Sequence, residues 1–350
     1  MPEGRLRLGI CGCGWVVRNC YRPALAYLQP EFEVVAVFDP DPSARRFAAE
    51  AWPLATVCDT LDALIAEHPV AVLVASPNAY HIDQALPLLE AGMSCLVEKP
   101  VVRGVSDAAR LLAAVAPGAT LVSGVACRYR CDTRLWLDHV KQIQPVTELE
   151  MIWTRQHGIP SAKWHLRRDQ DWTGVLADLG YHLLDIAGAA LHWRHDELEV
   201  LAAAATSQMH GTAAAWYGES HLISYETDDR FVATVRLGDC RLQLQVSWID
   251  EQPGDLVRLR ARSPHGEALL EGLFGFSDNR RHAGQRVVLH QYGHDKPQET
   301  SFDPGPRLQR KAFENLLRDF HHSVQEVGAD TSDELRFIAV VADAMRAKCR

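Results

Sequence analysis

Between Leu6 and about Ser123 the chain alternates short β-rich runs with helix-patterned ones, and this rhythm restricts the fold more than any other feature. The runs LRLGICG, FEVVAVFD, AVLVAS, SCLVE and TLVSG are separated by stretches such as LDALIAE, YHIDQALPLLEAG and SDAARLLAAV. Apolar runs of strand length, spaced by helical patterns, predict a doubly wound parallel sheet. Thr60 and Ser106 stand where N-caps belong, and Gly92 follows the stretch ending at Ala91 as a C-cap glycine does.

After about residue 145 the texture changes. VTELEMIWT, RFVATVRL, RLQLQVSW, LVRLRAR and QRVVLHQY are longer, and several alternate apolar with polar residues, which predicts a large, mainly antiparallel sheet covered on one face. Two amphipathic helices, near 307–327 and 332–347, close the chain, and the stretch from Asp295 to Arg307 reads as a loop. The expected fold is α/β: a Rossmann-type first domain over 1–124 and an α+β domain with an open sheet over 125–350. A chain of 350 residues exceeds what one hydrophobic core usually supports, in line with two domains.

The 36 basic and 45 acidic residues, net charge -9, supply no excess positive charge to hold a polyanion, so nucleic acid and acidic membrane surfaces are excluded as partners. No apolar run reaches the roughly 20 residues of a membrane span. The opening MPEGRLRLGI lacks the apolar core of a signal peptide, which points to the cytoplasm. Nine cysteines form no regular framework, and Cys11, Cys13, Cys58 and Cys95 fall in or beside apolar runs, as reduced core thiols do. Neither Cys11 with Cys13 nor Cys127 with Cys131 is completed by a second ligand pair at zinc spacing, so no metal site is expected.

RLGICGCGWVVRNC, residues 5 to 18, joins a strand to a helical pattern made by Val17, Cys20, Tyr21, Ala24, Leu25 and Leu28. Gly12 and Gly14 form the turn, where bare backbone lets N–H groups approach a pyrophosphate at the positive end of the helix. Val17 occupies the third-glycine position, predicting a slightly wider helix–strand contact, and Pro23 is expected to bend the helix. Asp39 ends the second strand 25 residues beyond Gly14, close to the roughly 20 expected of an acid that binds the adenosine ribose. An acid there repels a 2′-phosphate and favours NAD over NADP, although Arg45 and Arg46 nearby leave room for NADP.

VASPNAYHIDQALPLLEAGMSCLVEKPV, residues 74 to 101, together with WTGVLADLGYHLLD, residues 172 to 185, resembles the Gfo/Idh/MocA oxidoreductases over essentially the whole chain. The resemblance implies that Lys99 of the Glu98-Lys99-Pro100 motif lies beside the nicotinamide and the substrate hydroxyl, with Ser76, Pro77, Asn78 and His81 lining the cofactor. Gly9, Gly12, Gly14, Trp15, Val16, Asp39 and Glu98 complete the expected cofactor set. Lys99 at the end of a sheet strand also sits where α/β proteins bind ligands. The family's Asp-x-x-x-His pair matches Asp178 and His182, four apart on a predicted helix and hence on one face, with Asp185 a turn beyond. From the residues alone a capping Asp178 and a satisfied core histidine are the preferred reading, and the resemblance reverses it. The resemblance makes Lys99, Asp178 and His182 the catalytic set.

The chain departs from the family in two places. Trp172, Thr173 and Gly174 replace a glycine triplet, and Trp164 is followed by His165 where some relatives have Trp-Arg, so the substrate pocket is expected to be reshaped. Arg128, Arg130, Arg155, His157, Arg167 and Arg168 precede the catalytic helix; contact with a substrate phosphate or carboxylate is one reading of them, and a solvated charged face is expected for most. The resemblance thus implies nicotinamide-dependent interconversion of a hydroxyl and a ketone on a sugar, cyclitol or nucleotide-sugar, by a homodimer or homotetramer. In this reading His182 takes the hydroxyl proton and is oriented by Asp178, while Lys99 hydrogen-bonds the reacting oxygen. A glycosidase of the same fold that recycles bound NAD, and a cofactor-binding regulator without catalysis, are the alternatives.

Overall fold

The computed structural model describes residues 5–161, 166–167, 173–215, 220–303, 307–326 and 331–349. Trp164, His165, Arg168 and Trp172 lie outside the described residues. Two units result: Met1–Ala126 with Arg310–Leu335, and Cys127–Gln309 with Arg336–Arg350.

The first unit contains strands β1 (Leu6–Cys11), β2 (Phe32–Phe38), β3 (Thr56–Cys58), β4 (Ala71–Val74), β5 (Ser94–Glu98) and β6 (Leu121–Gly124). Between them run helices α1 (Arg22–Tyr27), α2 (Pro42–Ala51), α3 (Leu61–Ala66), α4 (His81–Glu90) and α5 (Val105–Ala114). The sheet order is β3-β2-β1-β4-β5-β6, parallel throughout, so the winding reverses between β1 and β4. Leu8, Ile10, Val37, Leu73 and Leu96 are fully buried, as strands covered on both faces require.

Local signals account for most of these elements. The Thr60 hydroxyl accepts from the Ala63 N–H at 3.2 Å and starts α3, and Gly92 with φ +80° closes α4. The cap expected at Ser106 is displaced: Gly104 precedes α5, and Asp107 reaches back to accept from the Arg103 N–H at 3.2 Å. The bend expected at Pro23 takes the form of a π turn, Val17–Tyr21, closed by the Arg22 N–H on the Val17 carbonyl. The proline ring bars a regular α bond just beyond, and the widened turn relieves that conflict with Val17 fully buried.

The second unit begins with α6 (Cys131–Gln142), β7 (Glu148–Thr154), α7 (Tyr181–Ala190) and β8 (Leu198–Thr206). A two-stranded ribbon, β9 (His210–Thr212) and β10 (Leu222–Ser224), precedes β11 (Arg230–Leu237), β12 (Cys240–Ser247), β13 (Leu256–Ser263), β14 (Gly266–Gly272), β15 (Gln285–Gln291) and β16 (Gln298–Phe302). The large sheet has the order β16-β15-β14-β13-β7-β12-β11-β8, antiparallel except for β7 beside β12. α6 and α7 pack on one face, where Leu242, Leu259, Leu270 and Leu289 are buried. On the other face arginine–glutamate pairs such as Arg262–Glu267 and Arg262–Glu148 meet solvent, and Arg258 pairs with the more buried Glu271.

Two expectations change here. The segment expected as a loop after Asp295 contains β16, which adds antiparallel to β15 from Gln285↔Phe302 to Leu289↔Gln298; a polar edge strand lacks the alternation that marks its neighbours. The chain also closes differently from a single run over 125–350. α8 (Arg307–Gln325) and α9 (Ser332–Cys349) are shared between the units, and within the first Phe313 packs edge-on against Tyr21 at 4.9 Å.

Candidate active site

At the reversal point, where open α/β sheets form a ligand crevice, Gly12 leaves β1 with φ +90°. A Cβ there would stand 2.6 Å from the Ser76 nitrogen, so the turn is possible only for glycine. Around Gly14, by contrast, a Cβ would meet nothing within 4 Å, and this exposed residue leaves the backbone open to a ligand. Trp15 and Val16, both half-buried, begin the helix behind it. Gly9 lies inside β1, where a Cβ would press on Pro69, Val72 and Leu64, so its smallness also serves packing.

Asp39 is bound to this turn directly. Its Oδ2 accepts the Cys13 N–H at 2.7 Å and its Oδ1 accepts the Asp41 N–H at 2.9 Å. Each carboxylate oxygen has a second lone pair, which suits a vicinal diol. The Arg45 guanidinium donates to the carbonyls of Asp39 and Pro40 at 2.8 and 2.9 Å, and Arg18, stacked 4.6 Å from the Phe47 ring centroid, donates to the Cys13 carbonyl. The open Gly14, the helix start and this carboxylate fit a dinucleotide.

Across the crevice, the Ser76 hydroxyl donates to Gln84, Pro77 is exposed and Asn78 is buried. His81 is 1% exposed, with ring nitrogens 2.7 Å from the Ser76 carbonyl and 2.9 Å from that of Pro100. It ties the Ser76 turn to Pro100, and burial lowers its basicity. Glu98 ends β5 nearly buried, and Lys99, half-buried, follows it at the sheet edge. Burial pushes the Glu98 carboxyl up to about 6, against hydrogen bonds from the Tyr21 hydroxyl and the Lys99 N–H.

In the second unit Asp178 lies in a π turn, Leu176–Gly180, and His182 in α7 just beyond, so the helix joining them is wider than the regular one expected. Asp178 Oδ2 accepts from Trp248 Nε1 at 2.9 Å and Arg155 Nη1 at 3.4 Å. Arg155 also lies over the Trp153 ring, whose centroid is 5.5 Å from that of half-buried His182. Trp153 and Trp248, which the spacing argument did not find, therefore flank the pair; both stand at the ends of alternating strands, the available signal.

The solvated face expected for the arginines is corrected. Arg155 is buried on Asp178, Arg130 is buried on Asp132, and Arg128 is mostly covered and pairs with fully buried Asp185 at 3.4 Å. Charges inside a fold require such partners. His157 and Arg167 are exposed. Gly174 has φ +81°, and a Cβ there would come within 3.0 Å of the Asp228 carbonyl.

A model of the oxidoreductase family with an NAD-binding Rossmann fold (GFO_IDH_MocA) matches residues 6–123. A putative UDP-kanosamine synthase oxidoreductase subunit of Amycolatopsis mediterranei (strain S699) is 31% identical over 289 residues, 79% of this chain and 77% of the relative. The chain belongs to the Gfo/Idh/MocA oxidoreductase family. This oxidoreductase is also 30% identical to the D-glucoside 3-dehydrogenase of Escherichia coli (strain K12) over 53% of its length and 54% of the relative's. Its fold matches KijD10, a 3-ketoreductase from Actinomadura kijaniata solved with NADP and TDP-benzene, at a TM-score of 0.76 and 20% identity over 99% and 98% of the two chains. Levoglucosan dehydrogenase with NADH and levoglucosan gives 0.77 at 15% identity over 99% and 97%. The enzyme is thus an NAD(P)-dependent oxidoreductase.

Proposed function

We propose that this enzyme interconverts a hydroxyl and a ketone on a sugar, cyclitol or nucleotide-sugar, using Lys99 and His182 at the reacting centre and NAD in preference to NADP. The observation that carries the reading is the identity over most of the chain to a UDP-kanosamine synthase oxidoreductase subunit. A D-glucoside 3-dehydrogenase and an inositol 2-dehydrogenase among the relatives support the same substrate class.

When bound, the nicotinamide ring supplies the hydride acceptor or donor. His182 takes the hydroxyl proton during oxidation and returns it during reduction, work suited to an imidazole near neutral pH. Fully buried Tyr181 is less suited to reach a substrate. Lys99 donates to the reacting oxygen and stabilises its developing negative charge. Asp178 acts from behind His182: by holding Arg155 it fixes the cation packed on Trp153, the neighbour of the imidazole. Asp39 supports NAD, because its carboxylate repels a 2′-phosphate while Arg45 is engaged on two carbonyls and Arg18 on a third; of the nearby arginines Arg46 is exposed.

The first unit, Met1–Ala126 with Arg310–Leu335, is assigned to the cofactor, and the second, Cys127–Gln309 with Arg336–Arg350, to the substrate and to self-association as a homodimer or homotetramer in the cytoplasm. A groove of about 280 Å³ on the open sheet face, lined by Ile152, Ala202, Ala204, Val232 and Thr234, supports that association. The test is nicotinamide absorbance with NAD and a panel of UDP-glucose, dTDP-glucose, methyl glucoside and myo-inositol. Reduction of NAD by at least one is expected, and silence from all, with ketone substrates and NADH equally silent, overturns the reading.

A further inference from the structure

The geometry points to Glu98 and Tyr21 as positioning residues for Lys99: a buried carboxylate, aimed by a phenol on the glycine-turn helix, pins the lysine's peptide and sets the charge beside its amine. This inference rests on the catalytic reading of Lys99 above.

Both carboxylate oxygens of Glu98 are used, and differently. Oε1 accepts from the Tyr21 hydroxyl at 2.7 Å, and Oε2 accepts from the backbone N–H of Lys99 at 3.0 Å. A carboxylate accepts on both oxygens, whereas an amide accepts on one, so glutamine in its place cannot serve both donors. The two partners come from distant chain segments. Tyr21 is the last residue of the π turn that follows the glycines, fully buried and fixed edge-on against Phe313. Glu98 itself is wedged against β6, where a Cβ on Gly124 would stand 2.8 Å from the Glu98 Cα. The widened turn before Pro23 thereby carries the phenol to the end of β5, linking the cofactor-binding helix to Lys99.

Burying a carboxylate is costly. A residue serving only to fill this space needs no charge. Here burial raises the carboxyl while the phenol, the Lys99 ammonium and the Lys99 N–H oppose it, and the balance leaves Glu98 titrating near pH 6. The titratable groups around it are Tyr21 and Cys20 on the π turn and Lys99 on its own strand end; the Cys20 thiol, raised by burial and then by Glu98, stays neutral. The partner residues on β6 and α8, Gly124 and Phe313, carry no charge. Protonation of Glu98 therefore changes the field at Lys99; His81, whose basicity burial lowers, is a further titratable group acting on Lys99, and Glu98→Gln separates its effect from that of Glu98.

The chain has six lysines, so reductive methylation with carbon-13 formaldehyde gives a countable NMR spectrum in which Lys99→Arg identifies the Lys99 signal. In the full-length protein that signal is expected to inflect near pH 6. The inflection should vanish in Glu98→Gln and move to higher pH in Tyr21→Phe, which keeps the ring packed against Phe313 but removes the donor that favours the carboxylate. A Lys99 signal flat around pH 6, or one inflecting alike in Glu98→Gln, overturns the inference. If Glu98→Gln fails to fold, the shift in Tyr21→Phe decides alone. The readout needs no turnover. A Lys99→Ala enzyme that still reduces NAD at the wild-type rate would instead overturn the catalytic reading and leave this one standing.

Discussion

His182→Ala is expected to slow hydride transfer by roughly 10²- to 10⁴-fold, the usual cost of losing a general base, while NAD binding changes little because Asp39 and the glycine turn lie in the other unit. Single-turnover absorbance with a substrate from the panel measures the first, and calorimetric titration the second. A wild-type rate in the variant would shift the proton transfer to another group. Asp39 offers a second test. With its carboxylate tied to Cys13 and Asp41, NADP is expected to bind more weakly than NAD, and calorimetry showing the reverse would refute the preference. Gly12 shows why these positions tolerate no compromise: a side chain would meet backbone of the neighbouring strand end in a conformation that L-residues rarely adopt.

At the end of β5, linkage predicts a pH effect on folding. Glu98 is raised in the folded protein from its ordinary value of 4.5 to about 6, so its contribution to stability is fully present below 4.5 and is lost as pH rises through about 6. Glu98→Gln never ionises and lacks this loss. Urea unfolding of the two proteins at several pH values should show the wild type losing on the order of 2 kcal/mol relative to the variant across that window; parallel curves would refute it. Gly124 on the next strand gives a purely steric test. Gly124→Ala places a methyl 2.8 Å from the Glu98 Cα and 2.9 Å from the Val97 carbonyl, and overpacking of this kind costs about 1–3 kcal/mol. The same urea titration reads it, and an unchanged midpoint would mean that β5 and β6 can separate at no cost.

The open face of the eight-stranded sheet bears on the assembled protein. It carries a half-exposed Val232 at 37% beside alanines and Thr234, flanked by salt-bridged arginine and glutamate rows. Apolar patches rimmed by charge are frequent association surfaces. Light scattering at micromolar concentration is expected to give a dimer or tetramer, and Val232→Asp to weaken it. A monomeric wild type would remove the proposal. Among the described residues no helix is long and apolar enough to cross a membrane.

The alternation of strand and helix patterns, the glycine turn with Asp39 beyond it, the Thr60 cap and the Gly92 terminus were legible in the sequence because each depends on residues close along the chain, where 2.0 and 3.6 periodicities and local hydrogen bonds operate. The Glu98-Lys99-Pro100 and Asp178-x-x-x-His182 motifs were legible as resemblance. Tertiary structure alone decided the rest. Gly9 also serves packing because Pro69 and Val72 of a neighbouring segment press on it, and polar β16 formed because β15 offered it an edge. Arg128, Arg130 and Arg155 were drawn inside by Asp185, Asp132 and Asp178, and Tyr21 was joined to Glu98 across 77 positions. Charge and polarity predict solvent when only neighbours in sequence are considered. A buried partner reverses that balance, and which partner arrives is set by how distant segments pack.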